Sequence, residues 1–166
     1  MSASLTYHSE EKVAASLQRA VEADAGAIDH DWWCEPFFFF KHPKAKGRLW
    51  GDTKYSVLGY STARGRYVEV DPEDDMFMSA REVAFLVKHL SRWSKEHGIT
   101  WLLHDEYQGD VGKIIEGKPD AGVRKYLRQM ADMYDEQKQE TGPKAEKRAA
   151  AILKKHAARN ATDDDN

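Results

Sequence analysis

The stretch from Met78 to Asp105 constrains this chain more than any other, because a helix start, a helix stop and a strand are all spelled out in it. Ser79 and Glu82 have the S-x-x-E spacing of a capping box, and Met78 and Val83 stand where a hydrophobic staple places its two apolar residues. Val83, Leu86, Val87, Leu90 and Trp93 then recur at helical spacing, with Arg81, Lys88, Arg92 and Lys95 on the other side. Gly98 sits where a glycine past the last turn ends a helix. The next residues, Ile99-Thr100-Trp101-Leu102-Leu103, are β-branched, aromatic and apolar, so the chain is expected to return as a buried strand beside the helix.

One core fits this length: 166 residues suffice for a single domain. With 32% charged and 41% hydrophobic residues and a net charge of −3, the composition is that of a globular protein. No apolar run approaches the roughly 20 residues that a membrane helix needs. No basic region followed by an apolar one opens the chain, so no secretory signal is read and a cytoplasmic location is expected. The single Cys34 agrees with a reducing compartment.

Ahead of the central helix, Ser9 is read as the cap of a helix running to about Ala25, after a short polar start. Four consecutive phenylalanines, Phe37 to Phe40, show no alternation with polar residues, which predicts a central strand covered on both faces, with Pro36 at its beginning. His42 to Gly47 is a basic loop. Lys54 to Tyr60 and Arg66 to Val70 read as a hairpin around Gly65. After Asp105, Val111 to Ile115 is predicted to return as an edge strand, and Asp120 to cap a helix carrying Val123, Tyr126, Leu127 and Met130. Gly142-Pro143 ends that helix and opens a basic one over 141–160, and the acidic tail 161–166 is expected to be disordered. The expected fold is α+β: residues 1–140 form a mainly antiparallel sheet of about five strands packed on the 79–97 helix, flanked by N- and C-terminal helices.

Several clusters carry possible chemistry. His104-Asp105-Glu106 follows the buried strand, where a small hydrolase or transferase could place its groups. Neighbouring strand residues point to opposite faces, however, so His104 and Asp105 would need a bulge to converge. His30 and Cys34 could form an activated thiolate, although a lone cysteine before an apolar strand reads first as a small buried hydrophobe. No phosphate loop, paired-cysteine motif or nucleophile elbow occurs, and neither a catalytic set, a cofactor nor a metal is assigned. Glu69, Asp71, Glu73, Asp74 and Asp75 make a dense acidic loop without the spacing or central glycine of a calcium loop. Such a patch steers toward a basic partner. Asp29, Asp31, Trp32 and Trp33 offer a second acidic and aromatic mixture. The lysines of the 141–160 helix suggest nucleic-acid contact, but they are spread around the helix and the chain is acidic on balance, so nucleic acid is not the expected partner.

Trp101-Leu102-Leu103 with an acidic turn, then Gly112-Lys113-Ile114-Ile115-Glu116-Gly117-Lys118-Pro119-Asp120 and a helix, resembles the closing strand pair and helix of small α+β immunity proteins of bacterial polymorphic toxin systems. That resemblance spans Thr100 to Met133. It implies a cytoplasmic, non-enzymatic inhibitor that binds a cognate toxin domain. Asp29, Asp31, Trp32, Trp33 and the five carboxylates of Glu69–Asp75 are then the expected partner-binding residues, and the partner is expected to be basic.

Overall fold

Alternation, not a long apolar run, builds the centre of the sheet. The computed structural model describes residues 2–32, 34–56, 60–61, 66–67 and 78–139. Its first strand, β1 (Ser2–Ser9), buries Ala3, Leu5, Tyr7 and Ser9 and leaves Ser4, Thr6 and His8 half-exposed between them. It is paired on both sides. Ser2 to His8 run antiparallel to Ser56 to Trp50 of β3 (Trp50–Ser56), and Leu5 to Ser9 antiparallel to Asp105 to Trp101 of β7 (Trp101–Asp105). The expected short polar start is therefore the central strand, and α1 (Ala15–Gly26) begins later than Ser9. Ser9 is no cap because its hydroxyl is used in the sheet region, donating to the Glu11 carbonyl and accepting from the Leu49 amide.

The phenylalanine run is also placed differently. β2 (Phe38–Phe39) is a two-residue edge strand on β3, with Phe38 opposite Asp52 and Phe39 opposite Gly51. Phe37 and Phe39 turn inward, each meeting the Tyr7 ring edge-on at 5.8 Å, whereas Phe38 is 60% exposed and Phe40 36%. Four identical side chains conceal a period of two, and only one face of this edge is covered. Gly51 makes the inward packing possible, since a Cβ there would overlap the Tyr7 ring that lies across it.

The remaining strands are β4 (Tyr60–Ser61) and β5 (Arg66–Tyr67), which pair antiparallel within the expected hairpin although Lys54 to Ser56 of its first strand belong to β3, β6 (Met78–Ser79), β8 (Gly109–Ile115) and β9 (Lys118–Pro119). The main sheet runs β2-β3-β1-β7-β8-β9, with β6 parallel to β3 on the edge that β2 also uses. It thus has seven strands instead of about five. β8 is not an outer edge along its whole length, because Ile114 and Ile115 pair with Pro119 and Lys118 of β9.

Three helices cover one face of the sheet. Before α2 (Val83–His97) the Ser79 amide donates to Glu82 Oε2 at 2.8 Å, and the reciprocal bond to the Ser79 side chain completes the capping box. Gly98 closes the helix with φ 68°, a left-handed value that glycine adopts without a Cβ clash. Val83, Leu86, Leu90 and Trp93 are fully buried against the sheet. α1 is tied to α2 by Asp24, whose Oδ2 accepts from Trp93 Nε1 and from the Arg92 guanidinium, both at 2.6 Å. α3 (Ala121–Gln139) starts at Asp120 as expected: Oδ1 accepts from the Val123 amide and Oδ2 from the Lys113 amide, both at 2.9 Å. No helix among the described residues is long and apolar enough to cross a membrane. The expected 141–160 helix and 161–166 tail lie outside the described residues.

Candidate functional site

Past α1 the chain turns through Ala27 and Ile28 and runs across the N-terminal half of α2. Asp29 and Asp31 are exposed there, and Trp32 between Asp31 and the sheet edge is half-buried. The Trp32 ring stacks on His30 at 5.7 Å with 16° between planes and meets Phe85 of α2 edge-on at 5.1 Å. Phe85 in turn leans on His89 at 4.5 Å. His30 is held from its other side by Glu35, with Nε2 and Oε2 3.3 Å apart. The result is an indole packed between His30 and Phe85 with carboxylates displayed beside it. Such an aromatic loses little conformational freedom when a partner covers it. Of the expected partner-binding residues, Asp29, Asp31 and Trp32 share this segment. Trp33 and Glu69, Asp71, Glu73, Asp74 and Asp75 lie outside the described residues.

The two candidate catalytic clusters do not assemble. Asp105 is 0% exposed and faces the helices, while His104 faces away from them and sits 3.0 Å from Asp110. The ladder between β7 and β8 shifts register beside His104, yet the two side chains remain on opposite faces. Glu106 is engaged separately, accepting from the Ser4 amide at 2.9 Å. Asp105 is instead a buried junction. Its Oδ2 accepts from the Tyr55 and Tyr126 hydroxyls at 2.7 and 2.8 Å, and its Oδ1 from the amides of Tyr107 and Gln108 at 2.8 and 2.9 Å. One carboxylate thereby joins β3, the turn after β7, and α3. Burial first, and then the neighbouring Asp105 carboxylate, push the Tyr55 phenol far above its ordinary range, so it stays a donor. Burial likewise raises Tyr126, aided by Tyr55 and Asp105.

Burial also pushes the Cys34 thiol up, away from the thiolate that nucleophilic catalysis uses. Cys34 lines a shallow, mostly apolar cleft of about 310 Å³ with Glu35, Phe38, Asp52 and Lys54, and His30 is not part of that lining. Asp52 is half-buried there, and that burial raises its carboxyl pKa.

A surface that the sequence reading passed over is the face of the sheet away from the helices. Phe40, Trp50, His8, Leu102 and Lys113 follow one another across four strands and the end of β2, the Phe40 amide donating to the Trp50 carbonyl at 2.9 Å. Trp50 is sandwiched between His8 at 4.2 Å and His42 at 4.3 Å. Burial, then Arg48 and His42, lower the His8 pKa, which keeps the stacked imidazole neutral near pH 7. The signal for this face was present: polar Ser4, Thr6 and His8 alternate with Ala3, Leu5 and Tyr7. Compared with protein-family models, curated proteins and solved structures, the chain has no match.

Proposed function

We propose that this chain is a non-enzymatic protein-binding inhibitor of the immunity kind, neutralising a basic cognate toxin domain in the cytoplasm. The observation that carries this reading is the segment Asp29–Trp32, an indole packed on His30 and Phe85 beside exposed carboxylates. Fixed aromatic anchors with a charged rim are the usual centre of a protein interface, and the carboxylates accelerate encounter with a positively charged partner. The resemblance of Thr100 to Met133 to immunity proteins supports it further. That segment is built of β7, β8, β9 and α3.

Co-expression with the product of the adjoining reading frame tests the reading. A stable complex is expected, together with relief of that product's toxicity. Replacing Trp32 by Ala should weaken the complex by at least about tenfold, the loss typical of an anchor residue. A toxic neighbour that neither binds this chain nor is silenced by it contradicts the proposal.

A further inference from the structure

The hairpin of β2 and β3 combines two features that the inhibitor reading does not use. Its loop, Lys41 to Arg48, holds Lys41, Lys44, Lys46 and Arg48 and no acidic residue. Among the described residues none of these four cations is in an ion pair. The loop is nevertheless well held. Val13 donates its amide to the Gly47 carbonyl at 2.7 Å, Gln18 Nε2 donates to the same oxygen at 3.0 Å, and the Ala45 and Arg48 amides close turns onto His42 and Ala45. Lys41, Lys46 and Arg48 border an open cleft of about 270 Å³ on it. Like charges gathered on an ordered loop without counter-charges are a standing site for a polyanion.

The second feature is aromatic. Phe38 and Phe40 project from the same hairpin on the open face, with ring centroids 6.1 Å apart. Among the described rings each pairs only with the other, so ring faces remain uncovered on the hairpin that carries the cations. A duplex has no base faces to offer such rings, and an acidic peptide has no flat π surface to match them. An unpaired nucleic-acid strand supplies both phosphates and bases, and grooves that bind such strands combine cations with aromatic platforms.

We infer that this hairpin is a binding surface for single-stranded nucleic acid, the loop cations contacting phosphates and Phe38 and Phe40 stacking bases. The acidic balance of the chain is not that of the loop, which holds four cations and no carboxylate; Glu35 and Asp52 line the cleft beside Phe38, so the phosphates are assigned to the loop and not to that cleft. This inference stands independently of the inhibitor reading.

Fluorescence anisotropy of the full chain with a labelled oligothymidylate and oligouridylate of about 12 nucleotides provides the test. Binding is expected at low salt and should weaken by roughly 50-fold between about 50 and 200 mM salt, as about four phosphate contacts to a single strand require. Lys44→Glu with Lys46→Glu should reduce affinity at least about tenfold and flatten the salt dependence. Phe38→Ser with Phe40→Ser should cost at least about thirtyfold while leaving the salt slope unchanged. Both pairs are at the surface, and circular dichroism melting verifies that they remain folded. Absence of binding at low salt overturns the inference. So does equal affinity for a duplex or for polyglutamate, and so does indifference to the Phe38 and Phe40 changes.

Discussion

Tyr7 and His8 are neighbours in β1 and meet opposite surroundings. Tyr7 is enclosed by Phe37, Phe39 and Trp101, all edge-on within 6.0 Å, and its hydroxyl donates to the Asp52 carbonyl. His8 lies over Trp50 on the face that no described helix covers. The same split runs along β3 and β7, where Tyr55 and Asp105 face the helices and Trp50, Asp52 and His104 face away. On the covered face Asp105 is satisfied internally by four donors, whereas the buried Trp101 Nε1 has no partner there. The open face pairs some of its groups, Trp50 with His8 and His42, His104 with Asp110 and Lys113 with Glu10, and leaves Phe38 and Phe40 exposed. Folding uses one side of the strands, and the two proposed recognition surfaces are on the other side and on the Asp29–Trp32 segment.

The largest expected effect lies at the junction on the covered face. Asp105→Ala would strand two phenol hydroxyls and two amides, at roughly 1–3 kcal/mol for each buried group left without a partner, so a loss of about 4 kcal/mol or more is expected by urea unfolding. A loss under about 1 kcal/mol would remove Asp105 from the centre of this account. Next comes Tyr7→Ala, expected to cost about 3–5 kcal/mol as a buried aromatic truncation. Gly51→Ala should follow at about 1–3 kcal/mol, because the new methyl displaces the Tyr7 ring.

A smaller effect is expected where α1 meets α2. The Trp93 and Arg92 hydrogen bonds hold the Asp24 carboxyl below the ordinary carboxylate range. A lowered folded-state pKa means the contribution is fully present above the unfolded value and is lost as pH falls through the folded one. Stability measured between neutral and strongly acidic pH should therefore fall less steeply in Asp24→Asn than in the unmodified chain. Equal slopes would show that the clamp adds nothing. The smallest effect belongs to the open face: Phe38→Ser with Phe40→Ser should change stability by no more than about 0.5 kcal/mol. A loss of several kcal/mol there would abolish the distinction between the faces.

Much of the covered face was legible because its signals are local. The capping box at Ser79 and Glu82, the left-handed Gly98, the Asp120 cap and the apolar stripe of α2 each depend on residues within a few positions of one another. β1 was missed because Ser, Ala, Ser and Thr carry little apolar weight, and its burial comes from β3 and β7, which are remote in sequence. The phenylalanine run misled because alternation cannot be read from identical residues. At the candidate site, the acidic and aromatic character of Asp29, Asp31 and Trp32 was legible. Its fixation was not, because Phe85 comes from a helix more than fifty residues later. The opposed directions of His104 and Asp105 did follow from strand geometry alone.

Hydrogen exchange of the chain alone and in complex with the adjoining gene product tests the central claim most directly. Added protection is expected at 29–32 and none at the buried strands, whose exchange is already slow. Protection that spares 29–32 altogether in a complex that still neutralises the toxin would contradict it.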